Sequence, residues 1–219
     1  MNRRLLVAGC GYVGAELARQ AAVAGWTVEG WSRSGGPDTT DRPARLQAPG
    51  FAARTVDLTD PHAVLHGVAA FRPDAIVQCA SSGRGGPEAY RRIFLGGVRA
   101  LLDAAPGVRL VFTSSTSVYA QTDGSAVTEE SPAEPDRETG RILLAAESLV
   151  LGAGGVVARL AGVYGPDRSA HLRKLLAGEA RIEGDGDRWI NQIHRDDAAA
   201  ALLHLAREDI PRGCYNVCD

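Results

Sequence analysis

Residues 4–20 read "RLLVAGCGYVGAELARQ". An apolar run of strand length breaks at a glycine-punctuated turn, and the residues after it take helical spacing to about Ala24. Strand, tight turn and helix in that order open a βαβ unit. Further strands follow at "TVEGW" (27–31), "ARTVDL" (53–58), "DAIVQCA" (74–80), "VRLVFTSS" (108–115) and "GVVARLAG" (155–162). A helical run spans 88–105, and another begins near 137. Continuous apolar strands separated by helices imply parallel strands covered on both faces. The expected class is α/β, a doubly wound Rossmann-type parallel sheet in one unit over 1–219.

Composition narrows the function classes. A chain of 219 residues with 45% hydrophobic residues can bury one sizeable core. A net charge of −2 leaves no basic footprint for nucleic acid. The four cysteines, Cys10, Cys79, Cys214 and Cys218, form neither a disulfide framework nor a zinc pattern, so no metal is expected. This usage predicts a reduced, cytoplasmic protein. The opening "MNRRLLVAGCGYVG" mimics a signal peptide, but glycines and Glu16 break the run, and no stretch is long and apolar enough to span a membrane.

"GCGYVG" (9–14) matches G-x-G-x-x-G between a strand and a helix, the context that makes the motif informative. Gly9 suits the tight turn, Gly11 a close backbone approach to a pyrophosphate, and Gly14 close helix–strand packing. Cys10, Tyr12 and Val13 complete the loop, whose helix amino terminus favours an anion. At the end of the second strand stand Ser32, Arg33 and Ser34, where an NAD site usually carries an acidic residue. A guanidinium and two hydroxyls suit a 2′-phosphate, so NADP is the expected cofactor and NAD the alternative; a solvated loop arginine is the bland reading. Asp57, with Leu58 beside it, can accept a hydrogen bond from the adenine amine or cap the helix starting near Pro61, for which Asp60 is closer. Cys79, Ala80 and Ser81 end the fourth strand on the same expected edge.

The series "VAGCGYVG", "VDLTDP", "VFTSSTSVYA", "VARLAGVYGPD", "INQIHRDDAAAALL" and "CYNV" resembles an extended short-chain dehydrogenase/reductase of the NAD-dependent epimerase/dehydratase type, with glycine spacing closer to the atypical branch. The resemblance runs the full length. It implies a small C-terminal substrate lobe built from loops within 81–91, 116–136 and 161–194, and a small-molecule substrate of the sugar-nucleotide or similar hydroxyl or carbonyl class. A homodimer is compatible with it. Relatives usually continue past the strand at "CYNVCD" with elements that help close the lobe.

The catalytic groups implied by the resemblance are a Ser or Thr, a Tyr and a Lys four residues on. Ser115 falls on the serine position. In "RETGRILLAAE" (137–147), Thr139 falls on the tyrosine and Leu143 on the lysine position, and the family's asparagine falls near Gly96. Lys174 is the sole lysine and Ala170 stands four before it, so no Y-x-x-x-K exists in the chain. A phenol has a pKa near 10 and needs a neighbouring ammonium to work near neutrality. Threonine is too weak an acid, and losing a general acid–base costs about 10²–10⁴-fold. Tyr119 and Tyr164 are the candidate substitutes, though packed tyrosines are commoner there. Thr116 and Ser117 stand where a sugar dehydratase carries an Asp–Glu pair, which argues against dehydration. Ile142, Ala145, Ala146 and Leu149 have the spacing of a packed face, with Thr139 and Leu143 on a neighbouring stripe. Arg84, Arg168, Arg188 and His194 are candidate substrate contacts; for His194 the preferred reading is structural, in front of a helix capped by Asp. Two functions follow: an oxidoreductase or epimerase whose proton transfer runs through another group, or a non-catalytic NADP-binding sensor or partner-binding protein.

Overall fold

The computed structural model describes residues 3–33, 50–83, 85–181, 185–187 and 189–219. The apolar run after Arg3 forms β1 (Arg4–Ala8), and the glycine loop turns it into α1 (Tyr12–Val23). β2 (Thr27–Ser32), β3 (Ala52–Thr55), α2 (Pro61–Phe71) and β4 (Ala75–Gln78) follow. α2 starts where Pro61 occupies the first turn and the Asp60 carboxylate accepts from His62 N and Ala63 N, so Asp60 and not Asp57 is its cap.

The long helical run predicted over 88–105 is divided. α3 (Pro87–Tyr90) and α4 (Gly97–Ala104) flank a π-helical turn over Arg91–Gly96. Such insertions are rare and frequent at functional sites. Next come β5 (Arg109–Ser115), α5 (Glu138–Gly152) and β6 (Val156–Leu160). β7 (Gly162–Tyr164), α6 (Ala170–Leu176), β8 (Gln192–His194), α7 (Arg195–Leu205) and β9 (Gly213–Val217) complete the chain.

Among the described residues, seven strands form one sheet in the order β3-β2-β1-β4-β5-β6-β9, every pairing parallel. This is the doubly wound sheet the sequence predicts. Alternate residues of each strand feed two cores. Leu5, Val7 and Val77 pack beneath the small-residue faces of α1 and α7 (Leu17, Ala18, Ala198, Leu202). Leu6, Ile76 and Phe112 pack beneath α2, α4 and α5 (Val64, Leu101, Leu143, Ala146). All carboxyl ends of a parallel sheet lie on one edge, so the loops after β1, β3, β4 and β5 meet there, with Ser32 and Arg33 at the end of β2.

A parallel pair, β7 with β8, is absent from the sequence reading, since three-residue strands carry too little period to recognise. β8 runs straight into α7. The cap of that helix is His194, whose Nδ1 accepts from Asp196 N at 3.3 Å. This corrects the expected aspartate cap: the strand delivers His194 to the cap position and leaves Asp196 and Asp197 in the first turn, where the helix dipole still favours them. α5 needs a second correction. Its buried residues include Ile142, Leu143, Ala146, Glu147 and Val150, while Ala145 is exposed. Leu143 is therefore part of the packed face, not of a stripe beside it.

Candidate cofactor and active site

The glycine loop is fixed from three sides. Gly9 has φ +107°, and a Cβ there would overlap the Ala80 backbone; a Cβ at Gly14 would overlap the Gly9 carbonyl. Gly9 N and Cys10 N donate to the Trp31 carbonyl at 3.0 and 2.7 Å. Gly11 differs: a Cβ built on it meets nothing within 4 Å. It ends a loop at the amino terminus of α1, which has no side-chain cap. A helix start presents N–H groups without intrahelical partners, and a pyrophosphate is the anion such a start accommodates. The residues present therefore fit a dinucleotide.

The other cofactor candidates line the same edge. Cys10 is buried, which pushes its thiol up to about 11, and Val13 packs against the same core. Burial also raises the Cys79 thiol, with the Cys10 charge acting in the same direction. Ala80 abuts Gly9, and Ser81 Oγ accepts from Gly83 N. Among the described residues, neither side-chain polar atom of Gln78, fully buried at the end of β4, has a hydrogen-bond partner, nor has Ser82 Oγ in the following loop. Ser32 and exposed Arg33 close β2, and Leu58 packs against Gly97 of α4. The Asp57 carboxylate accepts Thr59 N at 2.9 Å and Thr59 Oγ1 at 2.8 Å. The backbone bond chiefly holds its pKa below the usual aspartate range, with Arg33 and Arg92 adding positive charge nearby. Arg92, on the π turn, is absent from the sequence candidates; its charge acts on Asp57. Ser34, Arg84 and Arg188 lie outside the described residues.

Ser115 caps a single 3₁₀ turn over Thr116–Val118, its Oγ accepting from Ser117 N at 3.1 Å. Among the described residues no acceptor takes the Ser115 O–H. Asn191 Nδ2 donates to Thr116 Oγ1 at 2.9 Å, tying the segment before β8 to this turn. Thr139 is half-buried at the start of α5, and Leu143 is 4% exposed. Pro135 lies over the helix start, where a Cβ on Gly140 would overlap it.

The two substitute tyrosines are engaged elsewhere. The Tyr119 hydroxyl accepts from Arg159 at 2.7 Å and donates toward Asn216 Oδ1 at 2.8 Å, with the Thr128 carbonyl at 3.0 Å. Arg159 grips buried Glu147, which also accepts from Ser114. The sequence reading missed this pair; an arginine inside the apolar run "VVARLAG" was the signal. The Tyr164 hydroxyl donates to Asp219 at 3.0 Å, and that bond raises its pKa. His194 stands edge-on to Tyr164, with ring centroids 5.3 Å apart, and its Nε2 faces Gly165. Arg168 lies with its guanidinium 5.2 Å from the centroid of Tyr12. Among the described residues no cluster of His, Cys, Asp and Glu could hold a metal ion, and no helix is long and apolar enough to cross a membrane.

Fold and loop together define an α/β protein of the dinucleotide-binding class. The chain belongs to the NAD dependent epimerase/dehydratase family, whose model matches residues 5–218. It is 29% identical over 225 residues to protein YeeZ of Escherichia coli K12, covering 99% of this chain and 77% of that protein. It is 29% identical over 239 residues to the dTDP-4-dehydrorhamnose reductase of Mycolicibacterium smegmatis, spanning 65% of that enzyme. Among solved structures, the UDP-glucose 4-epimerase of Thermotoga maritima with UDP-glucose superimposes with a TM-score of 0.81 at 19% identity, over 100% of this chain and 77% of that one, which is a likeness of fold.

Proposed function

We propose that this chain is an NADP(H)-binding oxidoreductase or epimerase of the cytoplasm, acting on a hydroxyl or carbonyl group of a sugar nucleotide or similar small molecule. The observation that carries the reading is the loop in which Gly9 and Gly14 are locked by contact while Gly11 faces open space. Arg33 and Arg92 beside Asp57 favour a 2′-phosphate over an unmodified ribose, although the Brucella ovis epimerase of similar fold was solved with NAD. Sugar-nucleotide chemistry is supported by the family and by the M. smegmatis reductase. Four free cysteines suit a reducing compartment.

The residues divide the work as follows. Gly9 to Gly14 hold the dinucleotide, with Ser32, Arg33 and Asp57 toward its adenosine end and Cys79, Ala80 and Ser81 along the β4 side. When bound, the nicotinamide supplies hydride acceptance and donation. Ser115 donates its O–H to the substrate oxygen, and Thr116, whose oxygen already accepts from Asn191, offers a second donor. Thr139 and Leu143 replace the family's acid–base pair. The loops within 81–91, 116–136 and 161–194 form the substrate lobe of a single-unit protein.

A second reading, a non-catalytic NADP-binding sensor or partner-binding protein, is favoured by the burial of Leu143 with Ala146 and Val150, which leaves an apolar core where an ammonium would stand. One experiment separates them. NADPH and NADH are titrated by cofactor fluorescence, and NADPH consumption is followed against a panel of sugar-nucleotide ketones. Tighter NADPH binding that Arg33→Ala abolishes supports the cofactor assignment; equal affinities before and after sink it. Turnover that Ser115→Ala reduces supports the enzyme, and binding without turnover across the panel supports the sensor.

A further inference from the structure

The turn after β7 is built onto the phosphate loop. Gly165 and Arg168 exchange backbone hydrogen bonds at 3.1 and 3.0 Å, and Asp167 between them has φ 61°. Gly165 itself has φ +146°, and a Cβ on it would stand 2.9 Å from the Tyr12 hydroxyl and 3.1 Å from His194 Nε2. The Tyr12 hydroxyl donates to the Pro166 carbonyl at 2.9 Å. Tyr12 is the first residue of α1 and follows Gly11 directly. A turn far along the chain is thereby seated on the residue next to the anion-binding position.

Among the described residues, Arg168 and Arg195 place their guanidiniums over the Tyr12 ring, 5.2 and 5.3 Å from its centroid. Their charges are in different states. Arg195 is mostly buried and shared between Asp196 at 2.8 Å and Glu16 at 3.9 Å. Arg168 is exposed and, among the described residues, has no carboxylate within ion-pair distance. An aromatic face holds a guanidinium in place without consuming its N–H donors, which lie in the guanidinium plane. Arg168 is thus oriented beside the amino terminus of α1 and, among the described residues, has no carboxylate partner.

We propose that Arg168 is a further cofactor-binding residue, which uses the Tyr12 ring as its platform to pair with the pyrophosphate of the dinucleotide. This moves it from the substrate lobe, where its sequence position suggested a role, to the cofactor. It rests on the dinucleotide reading above. Arginine matches a phosphate with paired donors, and such charge-assisted bonds are the strong ones.

NADH and NADPH share the pyrophosphate and differ at the 2′-position, so the two arginines give different signatures. Binding of each is titrated by cofactor fluorescence at low and high salt, for the wild type, Arg168→Ala, Tyr12→Leu and Arg33→Ala. Arg168→Ala is expected to weaken NADH and NADPH by the same factor, about tenfold, and to flatten the salt dependence. Tyr12→Leu, which removes the platform but keeps the arginine, moves both in the same direction by less. Arg33→Ala weakens NADPH alone. Wild-type binding that Arg168→Ala leaves unchanged for both cofactors overturns the proposal, including the case in which that variant raises only the KM of a sugar-nucleotide substrate. A folded wild type that binds neither cofactor overturns the dinucleotide reading and this proposal with it.

Discussion

Arg159 donates to the Tyr119 hydroxyl at 2.7 Å while another of its nitrogens stands 2.7 Å from the Glu147 carboxylate. One buried guanidinium thus joins the loop after β5, the helix α5 and the strand β6. Its bonds to Glu147 and Tyr119 outweigh the burial that would favour the neutral form, so it stays charged. Removing one partner of a buried pair leaves the other uncompensated, at a cost of about 3–5 kcal/mol. Glu147→Gln should therefore lower unfolding stability by an amount of that order. Tyr119→Phe should cost about 1–2 kcal/mol. Urea denaturation of both variants checks this. A Tyr119→Phe protein of unchanged stability but lost turnover would make Tyr119 a catalytic acid instead.

Gly9 and Gly11 belong to one loop and predict opposite outcomes. Gly9→Ala forces a side chain into the Ala80 backbone at φ +107° and should destabilise the fold by about 3 kcal/mol or more. Gly11→Val places its Cβ where nothing lies within 4 Å, so the protein should fold normally and lose cofactor binding. Thermal melts paired with fluorescence titration separate the two effects. A folded Gly11→Val variant with normal binding would put the cofactor elsewhere.

Leu143 at 4% exposure sets the terms for restoring the family's acid–base pair. Leu143→Lys alone should lower stability by several kcal/mol, of order 3, because an ammonium replaces a core side chain. Thr139→Tyr alone adds a phenol with no charge to lower its pKa. The double variant should add carbonyl-reductase turnover at least about tenfold beyond either single change, since the pair acts as a unit. Steady-state assays on a carbonyl panel, run with stability controls, check it. High wild-type turnover that survives Thr139→Ala would show that the missing pair does not limit this protein.

Cys10 gives a pH prediction. Its folded thiol is raised to about 11 by burial, from an ordinary value of 9.0. A group whose pKa is higher in the folded than in the unfolded state stabilises the fold below the unfolded value and loses that contribution as pH climbs through the folded one. Stability should therefore fall between pH 9 and about 11, Cys10 contributing up to ~3 kcal/mol of the change. Other groups titrate in that range, so the readout is the difference from Cys10→Ala. Equal alkaline losses in the two proteins would remove Cys10 as the cause.

The sequence by itself determined the sheet and the loop. Strands such as "RLLVA" and "AIVQ" are apolar on both faces because helices cover both, and that composition is a local property. The glycines of 9–14 were legible because the tight turn and the close approaches they allow are demanded within a few residues of chain. The absence of Y-x-x-x-K was equally plain from one lysine. What only the tertiary structure decided were relationships between distant segments. Arg159 finds Glu147 and Tyr119, and Arg168 finds Tyr12, across separations that carry no sequence period. Leu143 is on the packed face because α5 lies against β5 and β6, and that packing, not the helix's own pattern, sets which side is buried. His194 took the cap because β8 runs into α7 without a loop, so the strand's register chose the capping residue. Local chemistry fixes which elements form; which side chains then share a site depends on how those elements are brought together.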